Sequence, residues 1–338
     1  MKTLIPLTAL VALVASNSLY AQTPAFSKPS GYVTETFKTG QFSLFGLTLN
    51  NPSVASGAVT SITSSSVTDT AINFTNLLTV GQTYVFEITK PGSTAVGAFA
   101  EVTAWSGSTL TTSPTNLTLL GATVGDTYTL RKASTIADIF GATNQAGLLQ
   151  GNANTADIIW ISDGAGVLTR YYYASAQPPV ITAGWRRIGG ANANSANVPI
   201  LSADGVILQR RGATDLQIVH TGEVKTTQTS YPITTNAFNY IGASFPVGST
   251  LASSGLQGQV TAGNTNTADI IWVPNGLGSY TRYYFATAQP PVITAGWRSV
   301  GGANTNRAND TLSSGIIIQR RGPSNNLKIS PPASYSNL

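Results

Sequence analysis

An internal duplication constrains the fold of this chain more than any other feature of its sequence. The segment Ala176–Arg186 (AQPPVITAGWR) recurs without change as Ala288–Arg298, at an offset of 112 residues (288 minus 176). Asn152–Trp160 recurs as Asn264–Trp272 at the same offset, with one substitution. Solenoid repeats have periods of roughly 20–50 residues, so a period of this length is typical of a whole domain with its own core.

Weaker matches extend the duplication towards the N-terminus and locate an insertion. Phe42–Gly46 resembles Phe238–Gly242, whereas no part of the second half resembles residues 57–131. Because the ends of this unmatched stretch join segments whose counterparts are continuous, we expect a self-contained insert. The predicted organisation is a signal peptide at 1–21, a first β-repeat domain at 22–56 and 132–221, an inserted small β-subdomain at 57–131 and a second β-repeat domain at 222–332.

The residue pattern predicts an all-β chain with two homologous antiparallel β-domains, the first carrying a small β-barrel-like subdomain. Runs of β-branched and aromatic residues, five to eight long, end at Asn, Gly, Asp or Pro. Asp163-Gly164 and Asn275-Gly276 are predicted hairpin turns, because these residues accept a positive φ. Helix is expected only at Thr135–Phe140 and its counterpart. Charged residues make up 9% of the chain, too few for the outer faces of a helical bundle.

The first residues predict export. A short positive start at Lys2 precedes an apolar run from Leu4 to Ala15 and a small-residue exit that ends at Ala21. The run is too short to span a bilayer, and no second long apolar run follows, so we expect no transmembrane segment. The expected location is extracellular or on the outer surface of a bacterium. With no cysteine, the chain must be stabilised by packed cores alone.

Few residues are available for catalysis. The chain has no cysteine and one histidine, His220, which we expect to be a solvated residue between the domains. Metal sites of the Cys/His type are excluded, and no calcium-loop motif is present. The formal net charge of +5 is spread over scattered Arg and Lys residues, which is unlike a phosphate-binding surface. We therefore expect no enzyme activity, no cofactor, no metal and no nucleic acid partner.

Two aspartates are the only acids that both copies share, namely Asp157 and Asp269. The favoured interpretation is a structural partner for one of the shared arginines, because a carboxylate and a guanidinium pair well. Alternation along the Gly-Trp-Arg strand predicts that the guanidinium groups of Arg186 and Arg298 are at least half-buried. We accordingly predict two structural ion pairs, one joining Arg186 to Asp157 and the other joining Arg298 to Asp269.

One set of aromatic and arginine residues is a candidate for recognition. Flat rings beside polar donors suit a glycan, but the same rings commonly fill β-cores or contact proteins. Exposure of Trp160, Tyr172 and Trp185 on one face would favour glycan binding, and their burial would favour assembly. The candidate ligand-binding residues are Trp160, Arg170, Tyr172 and Trp185 in the first copy and Trp272, Arg282, Tyr284 and Trp297 in the second.

Several motifs together resemble a family of exported bacterial proteins. The order is A-D-I-I-W, R-Y-Y, G-W-R and then Q-R-R-G, found twice after the leader. It is similar to a paralogous family of uncharacterised exported β-rich proteins with a duplicated D-x-Φ-Φ, Y-Y, W-R-x-Φ-G and G-Φ-Φ-Φ-x-R-x-G module. The resemblance covers nearly the whole mature chain and implies no activity and no catalytic residues. The C-terminal sorting helix common in that family has no counterpart before Leu338, which favours release or non-covalent assembly over anchoring.

The expected function is that of a secreted, non-enzymatic β-repeat protein of the cell surface or extracellular matrix, acting in assembly or adhesion. Its expected partners are further copies of itself or other surface proteins. The alternative is a glycan-binding module that uses exposed Trp, Tyr and Arg surfaces.

Overall fold

The structure, a computed structural model, describes residues 28–162, 167–179, 181–242, 245, 248–291 and 293–337. The predicted signal peptide and the predicted turn at Asp163-Gly164 lie outside these residues. Within them the fold is all-β, as predicted, and its sheets are antiparallel. No described helix combines the length and the apolar character that crossing a membrane would require.

The first part of the chain contributes ten strands and two short helical elements. The strands are β1 (Ser30–Phe37), β2 (Phe42–Gly46), β3 (Leu49–Asn50), β4 (Ser53–Ala58), β5 (Ser61–Ile62), β6 (Ser66–Thr68), β7 (Tyr84–Ile88), β8 (Phe99–Ser106), β9 (Thr109–Ser113) and β10 (Thr127–Lys132). The helical elements are α1 (Phe74–Leu77) and a 3-10 turn (Leu117–Leu120).

The described residues of the rest of the chain contribute fourteen strands. They are β11 (Ser134–Thr135), β12 (Ile158–Ser162), β13 (Leu168–Ala174), β14 (Gly184–Arg187), β15 (Pro199–Ile200), β16 (Gly205–Gln209), β17 (Leu216–Val224), β18 (Thr229–Ile233), β19 (Phe238–Gly242), β20 (Ile270–Pro274), β21 (Tyr280–Ala286), β22 (Gly296–Ser299), β23 (Gly315–Gln319) and β24 (Asn325–Ile329). Among the residues described here, helix is limited to α2 (Ile136–Phe140) and to 3-10 turns at Leu256–Gly258 and Ala333–Asn337.

The predicted helix at Thr135–Phe140 corresponds to α2. The Thr135 hydroxyl accepts from the Asp138 N–H, and the Asp138 carboxylate accepts from the Thr135 N–H, which is a capping box. In the second half, the counterpart region forms turns and the 3-10 turn that begins at Leu256.

The insert forms a seven-stranded sheet in the order β4-β10-β7-β8-β9-β6-β5. Its seven strands lie within residues 53–132, and β4 begins before the predicted boundary at residue 57. Among the described residues this sheet does not close into a barrel, since β4 and β5 share no ladder. Its apolar face packs on a core of its own, centred on Phe86, Leu110 and Leu130.

Two five-stranded sheets share one topology. The first has the order β14-β13-β12-β16-β2, and the second has β22-β21-β20-β23-β19. Trp160 pairs with Arg170 in the first sheet, and Trp272 pairs with Arg282 in the second. Each sheet has its own buried cluster, one around Trp185 and the other around Trp297. The domain boundaries themselves stay a prediction.

The two sheets meet through glycines. A Cβ on Gly205 would lie 2.7 Å from the Tyr240 carbonyl carbon, and a Cβ on Gly315 would lie 2.8 Å from the Phe45 Cα. Gly46 and Gly242 touch each other in the same region. Because Gly205 and Gly315 are counterparts, these reciprocal contacts are those of an approximate two-fold relationship. A shared apolar cluster lies between the sheets, and its buried members are Leu44, Ile207 and Ile317.

Candidate functional site

The shared aspartates organise the closing turn of each copy. Asp157 is fully buried, and its carboxylate pairs with the Arg210 guanidinium. It also accepts from the backbone N–H of Arg211 at 2.6 Å, of Gly212 at 3.1 Å and of Leu149 at 2.8 Å. With four donors around it, this carboxylate is fully used in holding the fold together.

Asp269 repeats this arrangement in the second copy. Its carboxylate pairs with Arg320 and accepts from the backbone N–H groups of Arg321, Gly322 and Thr261. The interpretation of the shared aspartates as partners of a shared arginine therefore agrees with the structure in both copies.

The predicted partners were wrong, because strand order decides them. Ile158 pairs with Gln209 across β12 and β16, which places Asp157 opposite Arg210 in the next step of the register. Arg186 lies on β14, and β13 separates that strand from β12. The pairs Arg186–Asp157 and Arg298–Asp269 are accordingly absent from the described residues.

Arg186 instead holds two loops together. It is buried, as predicted, and its Nε donates to the Asn192 Oδ1 at 2.6 Å. Its terminal nitrogens donate to the carbonyl of Trp185 at 2.8 Å and to the Thr182 carbonyl and hydroxyl at 2.9 and 3.0 Å. The bonds to Thr182 and Asn192 tie the loop before β14 to the loop after it.

Arg298 makes the same set of bonds in the second copy. Its Nε donates to the Asn304 Oδ1 at 2.6 Å, and its terminal nitrogens reach Trp297 and both oxygens of Thr294 at 2.8–3.0 Å. We call residues 175–183 with 188–194 the first loop pair, and residues 287–295 with 300–306 the second loop pair. Residues 180 and 292 lie outside the described part of the chain.

Each loop pair presents an exposed turn whose ends are joined by backbone hydrogen bonds. Gln177 and Ile181 exchange two backbone hydrogen bonds of 2.8 and 3.0 Å around the cis bond between Pro178 and Pro179. The side chains of Gln177, Pro178 and Pro179 are exposed, and their counterparts Gln289, Pro290 and Pro291 are exposed as well. β14 and β22 each form the edge of their sheet opposite to β2 and β19, so the loop pairs lie at the outer edges.

Two of the aromatic residues proposed for ligand contact are core residues. Trp185 is 0% exposed and Trp297 is 1% exposed, so neither ring can meet a ligand in this fold. Trp185 Nε1 donates to the Gly141 carbonyl at 2.9 Å, and its ring packs edge-on against Tyr173. The prediction that Trp185 and Trp297 contact a ligand was therefore wrong, because both rings are buried in the cores.

The other members of the set lie on the opposite face of each sheet. Trp160 is partly buried in the cluster between the sheets, and the exposed guanidinium of Arg170 lies 5.2 Å from its ring centroid. Trp272 and Arg282 repeat this cation–π contact at 5.2 Å. Tyr172 and Tyr284 are half-buried. The rings of Trp160 and Trp272 are thus covered from two sides and form no open aromatic platform.

His220 is buried rather than solvated. It lies in β17 opposite Val33, is 7% exposed and has no hydrogen-bond partner on either ring nitrogen among the described residues. Burial lowers its pKa. The expectation of a solvated histidine was wrong because β17 extends through this position, with alternate residues turned inward.

The described part of the chain offers no cluster of metal-ligating side chains. It contains no group of three or more His, Cys, Asp or Glu residues able to hold a metal ion. Comparison of the sequence with protein-family models and with curated proteins, and of the fold with solved structures, gives no match. The loop pairs are therefore the candidate site that the geometry itself supports.

Proposed function

We propose that this is a secreted, non-enzymatic protein that cross-links or attaches material at the cell surface through its two loop pairs. One observation carries the proposal. Two exposed loop pairs with nearly the same sequence and the same internal hydrogen bonds lie on one chain, each at the outer edge of its sheet. Two equal sites on one molecule gain affinity through effective concentration when a partner repeats its own epitope.

Sequence divergence between the copies supports this choice. Buried positions have changed, since Val206 corresponds to Ile316 and Tyr173 to Phe285. The exposed segment around Pro178-Pro179 has not changed at all. Surface loops ordinarily vary more in sequence than cores. An exposed segment that is identical in both copies therefore indicates that both copies bind the same partner. The internal hydrogen bonds explain why Thr182 and Asn192 are the same in both copies. They do not explain why the exposed Gln177 is also the same.

Burial of the tryptophans favours assembly over glycan binding. Trp185 and Trp297 lie in the cores, and Trp160 and Trp272 are covered between the sheets. A glycan site needs an open aromatic face, which this set does not offer. The partner expected here is a protein with a repeated epitope, either a surface protein or a further copy of this chain.

The test compares loop variants by binding of the mature chain to cell envelopes and by sedimentation of the chain alone. Gln177→Arg and Gln289→Arg each alter one exposed turn without touching an internal bond. We expect each single variant to weaken envelope binding or self-association by roughly tenfold or more, and the double variant to abolish it. Val80→Arg, at a position that is 88% exposed on the insert, is the matched control and should bind like the parent. Equal binding by the double variant and the parent would refute the proposal.

A further inference from the structure

Two clefts flank the contact between the sheets at positions related by the duplication. The smaller has a volume of about 160 Å³ and includes Glu35, Ser43 and Phe45. The larger has a volume of about 710 Å³ and includes Tyr231, Asn239 and Ile241. The second three residues follow the first three by the same 196 positions. The clefts are therefore counterparts, and their difference in size needs an explanation.

The insert accounts for the difference. Phe99, Glu101, Pro114 and Leu120 form a wall of the larger cleft, and all of them belong to the insert. The smaller cleft has no such wall, and the Gln41 side chain lies against Gly278 inside it. A cavity of several hundred Å³ is the size that holds a small organic ligand. The insert has thus turned one of two equivalent clefts into a space large enough for a ligand.

The Tyr171 hydroxyl in the larger cleft lacks the hydrogen-bond partner that its counterpart in the second copy, the Tyr283 hydroxyl, has. Tyr283 donates its hydroxyl hydrogen to the Asp310 carboxylate at 2.8 Å. The counterpart of Tyr283 is Tyr171, and the position of Asp310 is occupied by Val198. Both Tyr171 and Val198 line the larger cleft. Among the described residues the Tyr171 hydroxyl has no hydrogen bond, so it is available to a ligand.

A carboxylate on the insert wall is also unpaired. Glu101 is half-buried on β8 and lines the cleft, and it forms no ion pair or side-chain hydrogen bond within the described part of the chain. Burial raises its pKa. A half-buried carboxylate without a partner is unfavourable, and a cation in the cleft would relieve that cost. The surrounding surface is apolar and aromatic, from Phe99, Tyr231 and Tyr240.

We propose that the larger cleft binds a small molecule that has a flat apolar body and one protonated amine, with the amine on Glu101. The aromatic and aliphatic walls take the apolar body, and the Tyr171 hydroxyl donates to an acceptor on it. The insert is then a specificity element that only one half of the molecule carries. This site is separate from the loop pairs, and variants of Gln177 and Gln289 should leave it unchanged.

The test uses tryptamine and tryptophol, which share an indole body and differ in having an amine or a hydroxyl group. Calorimetric titration of the full mature chain should show tryptamine binding more tightly than tryptophol. Glu101→Gln should weaken tryptamine binding by roughly tenfold or more and leave tryptophol binding unchanged, since only the amine pairs with the carboxylate. Thr115→Trp, which fills the cleft from an insert loop, should abolish binding of both probes.

The smaller cleft supplies the matched control. Glu35 is also a carboxyl group whose pKa burial raises, and it bonds to Ser314. Glu35→Gln should leave the affinity for both probes at the parental value. Circular dichroism establishes that each variant is folded. Absence of tryptamine binding to the parent, or equal loss of both probes in Glu101→Gln, would overturn the proposal.

Discussion

Gly46 and Gly242 touch backbone to backbone where the two five-stranded sheets meet. They are counterparts in the duplication, so the contact joins a position to its own equivalent. A Cβ on Gly46 would overlap the Gly242 Cα and the Ser314 carbonyl oxygen, which are backbone atoms that cannot rotate away. Position 46 therefore requires glycine because any side chain would clash with the backbone of the other sheet.

Gly46→Ala should therefore lower the free energy of unfolding by about 3 kcal/mol, since overpacking against backbone has no cheap relief. Urea unfolding followed by Trp fluorescence measures the change. Gly31→Ala is the matched control, because a Cβ at Gly31 meets nothing within 4 Å. Parental stability of Gly46→Ala would show that the two sheets can separate without cost.

Breaking one buried ion pair should destabilise the first copy strongly. Asp157→Asn and Arg210→Met should each cost about 3–5 kcal/mol, because each leaves the other partner buried and unpaired. A double-mutant cycle should show strong coupling between these two positions. The same cycle with Arg186→Met in place of Arg210→Met should be additive, as Arg186 has other partners. Coupling of Asp157 to Arg186 instead would contradict the strand order.

The duplication allows the contribution of the Tyr283 hydroxyl to the stability of the fold to be measured, because its counterpart Tyr171 has no such hydrogen bond. Burial and the hydrogen bond to Asp310 raise the pKa of Tyr283 to about 12. Tyr283→Phe should cost about 1–2 kcal/mol, whereas Tyr171→Phe should change stability little. Thermal unfolding of the two variants side by side gives the comparison. A similar loss in both would mean that the Tyr171 hydroxyl is engaged in the folded chain.

Acid should weaken the fold through His220. Burial holds its pKa in the folded chain below the ordinary histidine value of about 6.5, so the unfolded chain binds a proton more readily. The contribution of His220 is then present above about pH 6.5 and is lost as the pH falls towards its folded pKa, with a limiting slope of about 1.4 kcal/mol per pH unit. Urea titrations between pH 7 and pH 5 measure this slope. His220→Leu should flatten it, and an unchanged slope would place the acid sensitivity elsewhere.

The insert should be removable. Ala58 and Thr127 are partners in the β4–β10 ladder, so a two-residue Asn-Gly turn can replace residues 59–126. This deletion removes Glu87, which is paired with the buried Lys225. Burial lowers the pKa of Lys225 to about 7, and the loss of Glu87 removes the group that pairs with its charged form.

We expect the deletion to unfold cooperatively and to gain stability when Lys225→Met is added. Differential scanning calorimetry distinguishes this result from a broad transition, which would make the insert part of the repeat cores. The Lys225→Met substitution in the undeleted chain serves as the reference.

The sequence predicted the all-β class and the strands, because these depend on local patterns of β-branched and aromatic residues. It also predicted that Asp157 pairs with a shared arginine. It could not select Arg210, since that choice depends on β16 rather than β14 lying beside β12. The order of strands is a tertiary property, and two sequence-distant strands decide it. Knowledge of the β12–β16 register alone would have selected the correct partner.

Exposure was harder to predict than pairing. Trp185 on β14 and Trp160 on β12 are each the single aromatic residue of a strand in the same sheet, and only the packing on the two faces of that sheet distinguishes their burial. The first face covers the core, and the second face meets the other copy. The burial of His220 was missed for a related reason, since the polar residues Gln217 and Thr221 near it in the sequence point outward from β17. The larger cleft had no sequence signal, because the insert and both copies contribute to it.

The reciprocal contact between the sheets has a consequence at low protein concentration. Two separate subunits that met through the same face would part on dilution, because the equilibrium between monomer and dimer depends on concentration. Here the link between the halves is covalent, so the arrangement persists at any dilution. A chain with both halves encoded separately can also change one of them alone, which a dimer of identical subunits cannot do. The insert, which lines the larger cleft and not the smaller one, is a difference of this kind.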